Sequence, residues 1–302
     1  MQEFTLSPER TIEIEKRHVH VFKYGENSNN IDFDVVDSFG EEWKKFQDFD
    51  KDTIDRIGIE YFDILLPHLD RSKTYLGDFG CGTGRWSKFL SDKVLEIEAI
   101  DPSEAIYSAA KLLAPNENIR LSKTSIDVLP FRDGSFDVVI SVGVLHHIPD
   151  TEKAMRSCVE KVKMGGHCFF YLYYNLEGES AINRMIFKIV TIFRRIISRS
   201  PSRLKKLICD LIAYVIYFPL SKLSAFVEFL GLKKVATKMP LSYYRNKSIY
   251  IMRNDSLDRF GTSLEQRFSK TQIHSMMKAS GLEEIQISEQ KPKYCAVGKR
   301  VA

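Results

Sequence analysis

The stretch that decides the fold is Tyr75-Leu76-Gly77-Asp78-Phe79-Gly80-Cys81-Gly82-Thr83-Gly84-Arg85-Trp86. Its apolar start predicts a buried strand, and its end predicts a glycine turn that leads into a helix. Gly80, Gly82 and Gly84 leave no side chain where the backbone must bend sharply and approach a ligand. Because the first amides of a helix favour an electron-rich group, this turn indicates a nucleotide-like ligand without fixing which one.

The composition is that of a globular protein, with 302 residues, of which 44% are hydrophobic and 28% charged. This length fits one large domain, or one domain that carries an insertion. The N-terminus Met1-Gln2-Glu3-Phe4 lacks the basic-then-apolar pattern of a signal peptide. No CxxC pair occurs among the five cysteines, which argues against a zinc ribbon or a disulfide framework. We therefore expect a cytoplasmic protein without a metal site; the cysteines are Cys81, Cys158, Cys168, Cys209 and Cys295.

Charge is distributed unevenly along the chain. Residues 1–60 hold 8 Lys/Arg against 15 Asp/Glu, whereas residues 181–240 hold 12 against 2. The overall charge of +4 thus hides an acidic N-terminal segment and a strongly basic insertion. We assign residues 1–73 to an N-terminal acidic cap segment.

Strands and helices alternate regularly over residues 74–174, which predicts a parallel sheet with right-handed crossovers. Residues 175–268 interrupt this alternation, and residues 269–302 predict a helix and a strand pair that complete the sheet. Ligands of such sheets bind at the carboxyl ends of the strands. The glycine turn, Asp101, the loop 125–127 and the loop 142–147 all fall at that edge. Asp101 lies where an acidic residue is expected to accept hydrogen bonds from both hydroxyls of a ribose.

Four motifs in this order resemble the class I S-adenosylmethionine-dependent methyltransferases, closest to the subgroup with quinone and small-molecule substrates. The resemblance covers residues 74–174. The matching residues are Asp78-Phe79-Gly80-Cys81-Gly82-Thr83-Gly84, Ala99-Ile100-Asp101-Pro102-Ser103, Leu129-Pro130-Phe131-Arg132-Asp133-Gly134-Ser135-Phe136-Asp137-Val138-Val139 and Val144-Leu145-His146-His147-Ile148-Pro149-Asp150.

This resemblance implies an α/β fold with a three-layer Rossmann-like sheet of seven strands, mostly parallel, the last one antiparallel. It implies S-adenosyl-L-methionine as cofactor, with Asp78 orienting the loop that holds its methionine portion. The position four residues before Leu129 is normally an Asp near the adenine amine, but here it is Ser125. We therefore take the whole loop as the candidate contact. The cofactor-binding candidates are Asp78, Gly80, Cys81, Gly82, Gly84, Asp101, Pro102, Ser125, Ile126, Asp127 and Val142.

His146 and His147 follow the fourth strand of the alternation and are the catalytic candidates. A sulfonium methyl is already activated, so its transfer needs mainly alignment, with a base when the acceptor is a hydroxyl. The alternative is that either histidine only packs in its loop. The glycine spacing, Gly-x-Gly-x-Gly, lacks the wider last gap of the dinucleotide fingerprint and disfavours a nicotinamide dehydrogenase.

The insertion, residues 175–268, is apolar and basic together over residues 182–232. A helical lid over the substrate pocket and a peripheral contact with an anionic membrane both fit this pattern. Asp210 and Pro219 break the longest apolar run, which predicts a stretch shorter than the roughly 20 helical residues that span a bilayer. Its many Ile, Leu and Phe residues disfavour nucleic acid as a partner.

Tyr243, Tyr244, Arg245 and Arg259 are candidate substrate contacts, because arginine pairs well with carboxylate or phosphate. Salt-bridged loop packing is the alternative. Residues 243–268 are also similar, more loosely, to methyltransferases of bacterial surface-polysaccharide clusters. The sequence thus predicts a cytoplasmic methyltransferase, peripheral at the inner membrane surface if the insertion binds lipid. Its acceptor would be a small molecule or a lipid- or saccharide-linked compound, methylated at oxygen; the alternative is a non-catalytic protein that binds the cofactor.

Overall fold

A computed structural model describes residues 1–24, 30–43, 51–175, 181–289 and 294–302. The chain forms two compact units. We call residues 1–177 with 264–302 the core unit, and residues 178–263 the insert unit. The predicted insertion, residues 175–268, is a few residues longer at each end than the insert unit.

The core unit begins with a hairpin and two helices and then alternates strand and helix. A closing helix and two strands follow after the insert unit. Its elements are β1 (Arg10–Ile14), β2 (Arg17–Val21), α1 (Phe33–Trp43), α2 (Lys51–Phe62), β3 (Tyr75–Phe79), α3 (Arg85–Leu90), β4 (Glu96–Ile100), α4 (Ala105–Leu112), β5 (Ile119–Lys123), β6 (Phe136–Val142), α5 (Thr151–Glu160), β7 (Val162–Tyr171), α11 (Lys270–Ala279), β8 (Leu282–Ile287) and β9 (Cys295–Arg300).

These strands form one mixed sheet in the order β1-β2-β5-β4-β3-β6-β7-β9-β8. Neighbours from β2 to β7 pair in parallel, whereas β9 runs antiparallel to both β7 and β8. The expected seven strands are wrong for the described residues, which contain nine. The two additional strands are the N-terminal hairpin, because β2 pairs with β5 through Val19–Val21. This pairing covers backbone groups of β5 that would otherwise form an open sheet edge.

Two hydrophobic clusters cover the two faces of this sheet, which confirms the three-layer architecture. One cluster joins Leu76 to α3 and α4 through residues such as Phe89 and Ile106. The other joins Phe79 to α5 and α11 through Met155 and Met277. With helices on both faces, the carboxyl ends of the parallel strands remain the place for a ligand.

The insert unit is helical and has a small core of its own. Its helices are α6 (Ala181–Ile197), α7 (Ser202–Ile212), α8 (Phe218–Phe229), α9 (Lys233–Ala236) and α10 (Ile249–Gly261). A π-helical segment, Ala213–Tyr217, joins α7 to α8, and Pro219 lies in the first turn of α8. Proline has no amide hydrogen to donate to the preceding turn. Because that turn is the wider π turn, the helix continues through Pro219 without a break.

The result is one helix, Arg203–Phe229, of 27 residues, which by length and composition could cross a membrane. The expectation that Asp210 and Pro219 leave a stretch too short to span a bilayer is therefore wrong. The core helix of a soluble protein is mostly buried, yet only 28% of the apolar window of this helix is buried. Length and exposure fit a helix that lies on a membrane as well as one that crosses it.

Candidate functional site

The glycine loop between β3 and α3 has the backbone conformation that its sequence predicts. Gly80, Gly82 and Gly84 have φ angles of 87°, 55° and 81°, all in the left-handed region. The amides of Gly80 and Cys81 donate to the carbonyl of Ile100, at 2.8 and 2.9 Å. These bonds fold the loop across the end of β4, which brings it beside Asp101.

The space around the three glycines differs. A Cβ at Gly80 would lie 2.4 Å from Val144 Cγ2, and one at Gly84 would lie 2.7 Å from Leu113 Cδ1. A Cβ at Gly82 would meet no atom of the described residues within 4 Å. The outer two glycines are therefore required for packing, whereas the described part of the chain leaves the space in front of Gly82 open. This opening lies where the strand edge is expected to receive a ligand.

Asp78, in β3, is buried below the glycine loop. Its Oδ2 accepts a hydrogen bond from Ser87 Oγ at 2.6 Å, and its Oδ1 has no partner among the described residues. Burial raises the pKa of Asp78 to about 7, and the nearby charge of Asp101 adds to this shift. A buried carboxylate oxygen without a donor is costly, so this atom indicates a donor supplied by a ligand.

Asp101 follows β4 and anchors two turns at once. Its Oδ1 accepts from the amide of Ser103 at 2.8 Å and from Ser103 Oγ at 2.6 Å. Its Oδ2 accepts from the amide of Gly82 at 2.9 Å. Burial raises the pKa of Asp101, against the effect of these bonds. Oδ2 accepts this one hydrogen bond among the described residues, and a carboxylate oxygen has two acceptor sites, so Oδ2 retains capacity for a hydroxyl.

The loop after β5 contains the three candidate adenine contacts. Ser125 is buried, and its hydroxyl has no partner among the described residues. Ile126 is also buried and belongs to the apolar cluster around α5. Asp127 Oδ2 accepts from the backbone amide of Asn30 at 3.0 Å. The structure thus leaves Ser125 as a buried polar group in the position that the family motif gives to an Asp.

Two residues of this site were missed by sequence reasoning. The Asn30 side chain exchanges two hydrogen bonds with the backbone of Asp150, so it joins the loops after β5 and β6. The Tyr24 hydroxyl donates to the carbonyl of Pro102. Both residues come from the acidic N-terminal segment, in which the sequence analysis placed no site residue. A contact across about a hundred positions leaves no local signal.

The N-terminal segment also provides a helix at this edge. A Cβ at Gly40 in α1 would lie 3.2 Å from the amide of Glu104, so α1 approaches the start of α4 closely. The Phe39 ring lies 4.9 Å from the His147 ring. The helix α1 therefore contacts both the loop after β4 and the loop after β6.

The two catalytic candidates follow β6, whose last residue Val142 is partly buried. His146 is completely buried, and neither ring nitrogen has a partner among the described residues. Its ring stacks on Tyr173 at 3.9 Å and lies 4.1 Å from His147. Burial lowers the pKa of His146 well below the usual value, with a smaller contribution from His147, so the ring is neutral at pH 7.

His147 has a structural contact that His146 lacks. Its Nδ1 lies 2.8 Å from the carbonyl of Leu264, where the chain returns from the insert unit. The carbonyl can only accept, so Nδ1 carries the proton in this contact. His147 thereby holds the returning chain, which matches the alternative role of packing, whereas His146 has no such contact.

The four predicted substrate contacts lie in the insert unit, and the predicted cofactor residues lie in the core unit. The Tyr244 hydroxyl donates to Asp255, and Arg245 Nε pairs with Glu228 at 2.5 Å. Tyr243 is exposed, with Lys247 Nζ over its ring at 3.7 Å, and Arg259 is exposed. Tyr244 and Arg245 thus have partners inside the insert unit, and the role of all four in substrate binding remains a prediction.

Comparison with known proteins agrees with the core unit. Residues 77–170 match the family model of a methyltransferase domain. A ubiquinone biosynthesis O-methyltransferase of Marinobacter nauticus is 34% identical over 115 residues, which are 35% of this chain and 48% of that protein. A tRNA U34 carboxymethyltransferase of Campylobacter concisus is 29% identical over 126 residues, which cover 40% of this chain and 44% of that protein. The chain thus spans about half the length of the curated relatives it matches.

A solved structure confirms the same fold. It is a chain of the complex between the Haloferax volcanii Trm112 methyltransferase activator and the putative methyltransferase, with a TM-score of 0.51 at 13% identity. The alignment covers 89% of this chain and 100% of the matched chain.

Residues 77–170 are thus a methyltransferase domain of the class I S-adenosylmethionine-dependent type, which confirms the resemblance seen in the sequence. S-adenosylmethionine is accordingly the cofactor of this domain. All the predicted cofactor residues lie inside the matched segment, whereas the insert unit lies outside it.

The residues present fit this cofactor. S-adenosylmethionine carries hydrogen-bond donors in its ammonium, ribose hydroxyl and adenine amine groups. The core unit offers buried acceptors at the same sheet edge, namely Asp78 Oδ1, Asp101 Oδ2 and Ser125 Oγ, together with the opening at Gly82. Asp78 would meet the ammonium, Asp101 the ribose and the loop 125–127 the adenine. Among the described residues, no group of three His, Cys, Asp or Glu side chains is placed to hold a metal ion.

Proposed function

We propose that the protein is an active S-adenosylmethionine-dependent methyltransferase that methylates an oxygen of a small molecule or of a lipid- or saccharide-linked acceptor. The observation that carries the proposal is the imidazole of His146. It is buried, neutral and without a hydrogen-bond partner among the described residues, at the edge that holds the glycine loop. A purely cofactor-binding protein has no need for such a group.

The chemistry assigns simple tasks to the chain. When bound, S-adenosylmethionine supplies a methyl group on a positively charged sulfur, which is already activated for displacement. The neutral His146 ring accepts the proton of the acceptor hydroxyl, and stacking on Tyr173 fixes the plane of that ring. His147, bonded to the carbonyl of Leu264, holds the loop in place. The Phe39 ring packs on His147 and the Tyr173 ring on His146, and both histidines are buried, which keeps water away from the pair.

The names of the relatives bear on the acceptor. The Marinobacter relative is named an O-methyltransferase, which supports oxygen as the acceptor atom. The Campylobacter relative is named for a tRNA nucleotide, U34. Residues 182–232 are too rich in Ile, Leu and Phe for a solvated phosphate-binding face, so we favour a small or lipid-linked acceptor over RNA.

The insert unit completes the proposal. It supplies acceptor contacts through Tyr243, Tyr244, Arg245 and Arg259 and acts as a helical lid during turnover. A lipid-linked acceptor would require a cytoplasmic enzyme that works at the inner face of a membrane. The apolar and basic character of residues 182–232 supports this location.

Two variants and one control test the proposal. Calorimetry with S-adenosylhomocysteine should show binding to the wild type, loss of binding in Asp101→Ala, and normal binding in Asp92→Ala, an exposed acid of the same unit. His146→Phe should bind S-adenosylhomocysteine normally but transfer labelled methyl groups roughly 100-fold more slowly or worse. The acceptor panel contains quinones, sugar nucleotides and polyprenyl-linked sugars.

Other results would reject defined parts of the proposal. Unchanged affinity in Asp101→Ala would remove the assignment of the cofactor site. Binding of S-adenosylhomocysteine without transfer to any acceptor of the panel, or to a total lipid extract, would favour a non-catalytic protein. Wild-type rates in His146→Phe would exclude His146 as the base.

A further inference from the structure

We propose that the insert unit docks on the surface of an anionic lipid bilayer through the apolar stripes that two of its helices leave exposed. We call these stripes together the docking face and define it by exposed residues of α6 and of the helix Arg203–Phe229. The inference deepens the peripheral location of the proposed function and rests on it, but it does not depend on methyl transfer.

The helix α6 contributes a regular apolar stripe. Its exposed large hydrophobic residues recur at intervals of four, three, one and three positions, which places them on one side of an α-helix. Each of them is about half exposed or more, although a soluble protein usually buries such a stripe. The residues of this stripe are Met185, Ile189, Ile192, Phe193 and Ile196.

The longer helix repeats the pattern. From residue 204 to residue 218 the exposed residues of one side recur at intervals of three, four, three, one and three positions, and two more follow at residues 226 and 229; Ile216 and Leu223 are exposed beside this stripe. The opposite side of this helix carries Cys209, Ala213 and Tyr217, which pack on Met252 of α10 in the core of the insert unit. The stripe is therefore the side that this core leaves uncovered. Its residues are Leu204, Leu207, Leu211, Tyr214, Val215, Phe218, Phe226 and Phe229, the last of which is 84% exposed.

Cations border the apolar stripe of α6. Lys188 and Arg195 are exposed and lie seven residues apart in α6, which aligns them along one side of the helix next to the stripe, and the exposed Arg199 follows just after the helix ends. Lys222 is exposed on the longer helix. An apolar face bordered by Lys and Arg is the pattern of helices that lie in the interface of an anionic membrane.

The acidic side chains that the structure describes in the insert unit do not offset these cations. Asp210 pairs with Arg253 through two bonds of 2.8 Å, and Glu228 pairs with Arg245. Asp255 accepts from the Tyr244 hydroxyl. The outward charge is therefore positive. This favours anionic lipid over a second copy of the chain, because two docking faces would bring like charges together.

The same pairs favour surface docking over a membrane span. The helix Arg203–Phe229 is bound to α10 by the Asp210–Arg253 pair and by the bond from Ser256 Oγ to the carbonyl of Cys209, at 2.8 Å. Insertion across a bilayer would break these contacts or carry the charged pair into hydrocarbon. With the helix lying flat, its packed side keeps these partners while its stripe enters the interface.

Vesicle flotation of the full-length protein tests the docking face. The vesicles contain equal parts phosphatidylglycerol and phosphatidylcholine, or phosphatidylcholine alone, at low and high salt. We expect the wild type to float with the anionic vesicles at low salt and to be released by high salt. Ile192→Glu with Ile196→Glu, and separately Lys188→Gln with Arg195→Gln and Arg199→Gln, should each reduce binding at least about tenfold. Met164→Glu, at a residue of the core unit that is also exposed, is the matched control and should float as the wild type does.

Each contrary outcome overturns the proposal. The docking-face proposal is rejected if the wild type does not float at low salt, or if both sets of variants float as the wild type does. Resistance to carbonate extraction would show a spanning helix instead. Sedimentation of a dimer that the Ile192 and Ile196 variants dissociate, without vesicle binding, would show an interface between copies.

Calorimetry with S-adenosylhomocysteine on the same preparations separates docking from the proposed function. If the wild type binds this ligand but does not float, only the docking-face proposal is rejected. If the wild type floats but does not bind the ligand, only the assignment of the cofactor site is rejected. Both sets of variants should keep the wild-type affinity, which also shows that they fold.

Discussion

Asp78 carries a conflict between folding and ligand binding in a single side chain. Its pKa is near 7 in the folded protein because it is buried, whereas an Asp in an unfolded chain titrates near 3.9. Between about pH 4 and pH 7 the folded state holds a proton that the unfolded state has lost. The contribution of Asp78 to the free energy of unfolding therefore falls as the pH rises through this window, by at most about 4 kcal/mol.

Asp78→Asn should remove this pH dependence while keeping the shape and the bond with Ser87. We expect the variant to be more stable than the wild type at pH 8 by up to about 4 kcal/mol, and close to it at pH 4. It should also lose affinity for S-adenosylhomocysteine, because its amide cannot attract an ammonium group. Urea unfolding at several pH values and calorimetry measure both effects. Asp133→Asn, at an exposed residue, is the control, and a variant less stable than the wild type at pH 8 would contradict the argument.

At the scale of elements, two glycines of the same loop have different roles: Gly80 is needed for folding, and Gly82 for ligand binding. Gly80→Ala would place a Cβ 2.4 Å from Val144 Cγ2 at a φ of 87°, so we expect a loss of about 3 kcal/mol in the free energy of unfolding. The new methyl group of Gly82→Ala meets no atom of the described residues within 4 Å, so this variant adds only the cost of the left-handed backbone, about 1–2 kcal/mol. It should nevertheless weaken S-adenosylhomocysteine binding, because its new methyl group fills the opening.

The two glycine variants are each other's control. Thermal unfolding measures the first effect and calorimetry the second. Equal stabilities for Gly80→Ala and Gly82→Ala would show that Val144 moves away at little cost. Wild-type affinity in Gly82→Ala would mean that the ligand does not approach this glycine.

The sequence was sufficient for elements whose signals are local. The alternation of strands and helices predicted the parallel sheet, and the glycine turn with Asp101 predicted the carboxyl edge as the site. The pairing of the N-terminal hairpin with β5 was not predicted, since Val19 meets Leu121 a hundred residues later. The site contacts of Tyr24 and Asn30 were missed for the same reason. The predicted break at Pro219 was wrong because the effect of this proline depends on a π turn, which has no simple sequence pattern.

At the scale of the whole molecule, the insert unit interrupts the sequence of the core unit, which has its own sheet, hydrophobic clusters and assigned cofactor residues. The chain before and after it is joined inside the core unit. The amide of Asn175 donates to the carbonyl of Phe268 at 3.0 Å, and the amide of Phe268 donates to the carbonyl of Tyr173 at 2.9 Å. Both hydrophobic clusters of the sheet, and all residues assigned to the cofactor, belong to the core unit. The insert unit has a separate core around Cys209 and Met252.

Replacement of residues 178–263 by a short Gly/Ser linker should therefore leave a folded core unit. We expect wild-type affinity for S-adenosylhomocysteine, because no assigned contact is removed, and complete loss of vesicle flotation, because the docking face is gone. Methyl transfer should be lost as well if the insert unit supplies the acceptor contacts. The matched control is the same deletion with Asp101→Ala, which should fold but not bind. Loss of S-adenosylhomocysteine binding by the deletion alone would show that the core unit needs the insert unit to form its site, and continued flotation would move the membrane contact to the core unit.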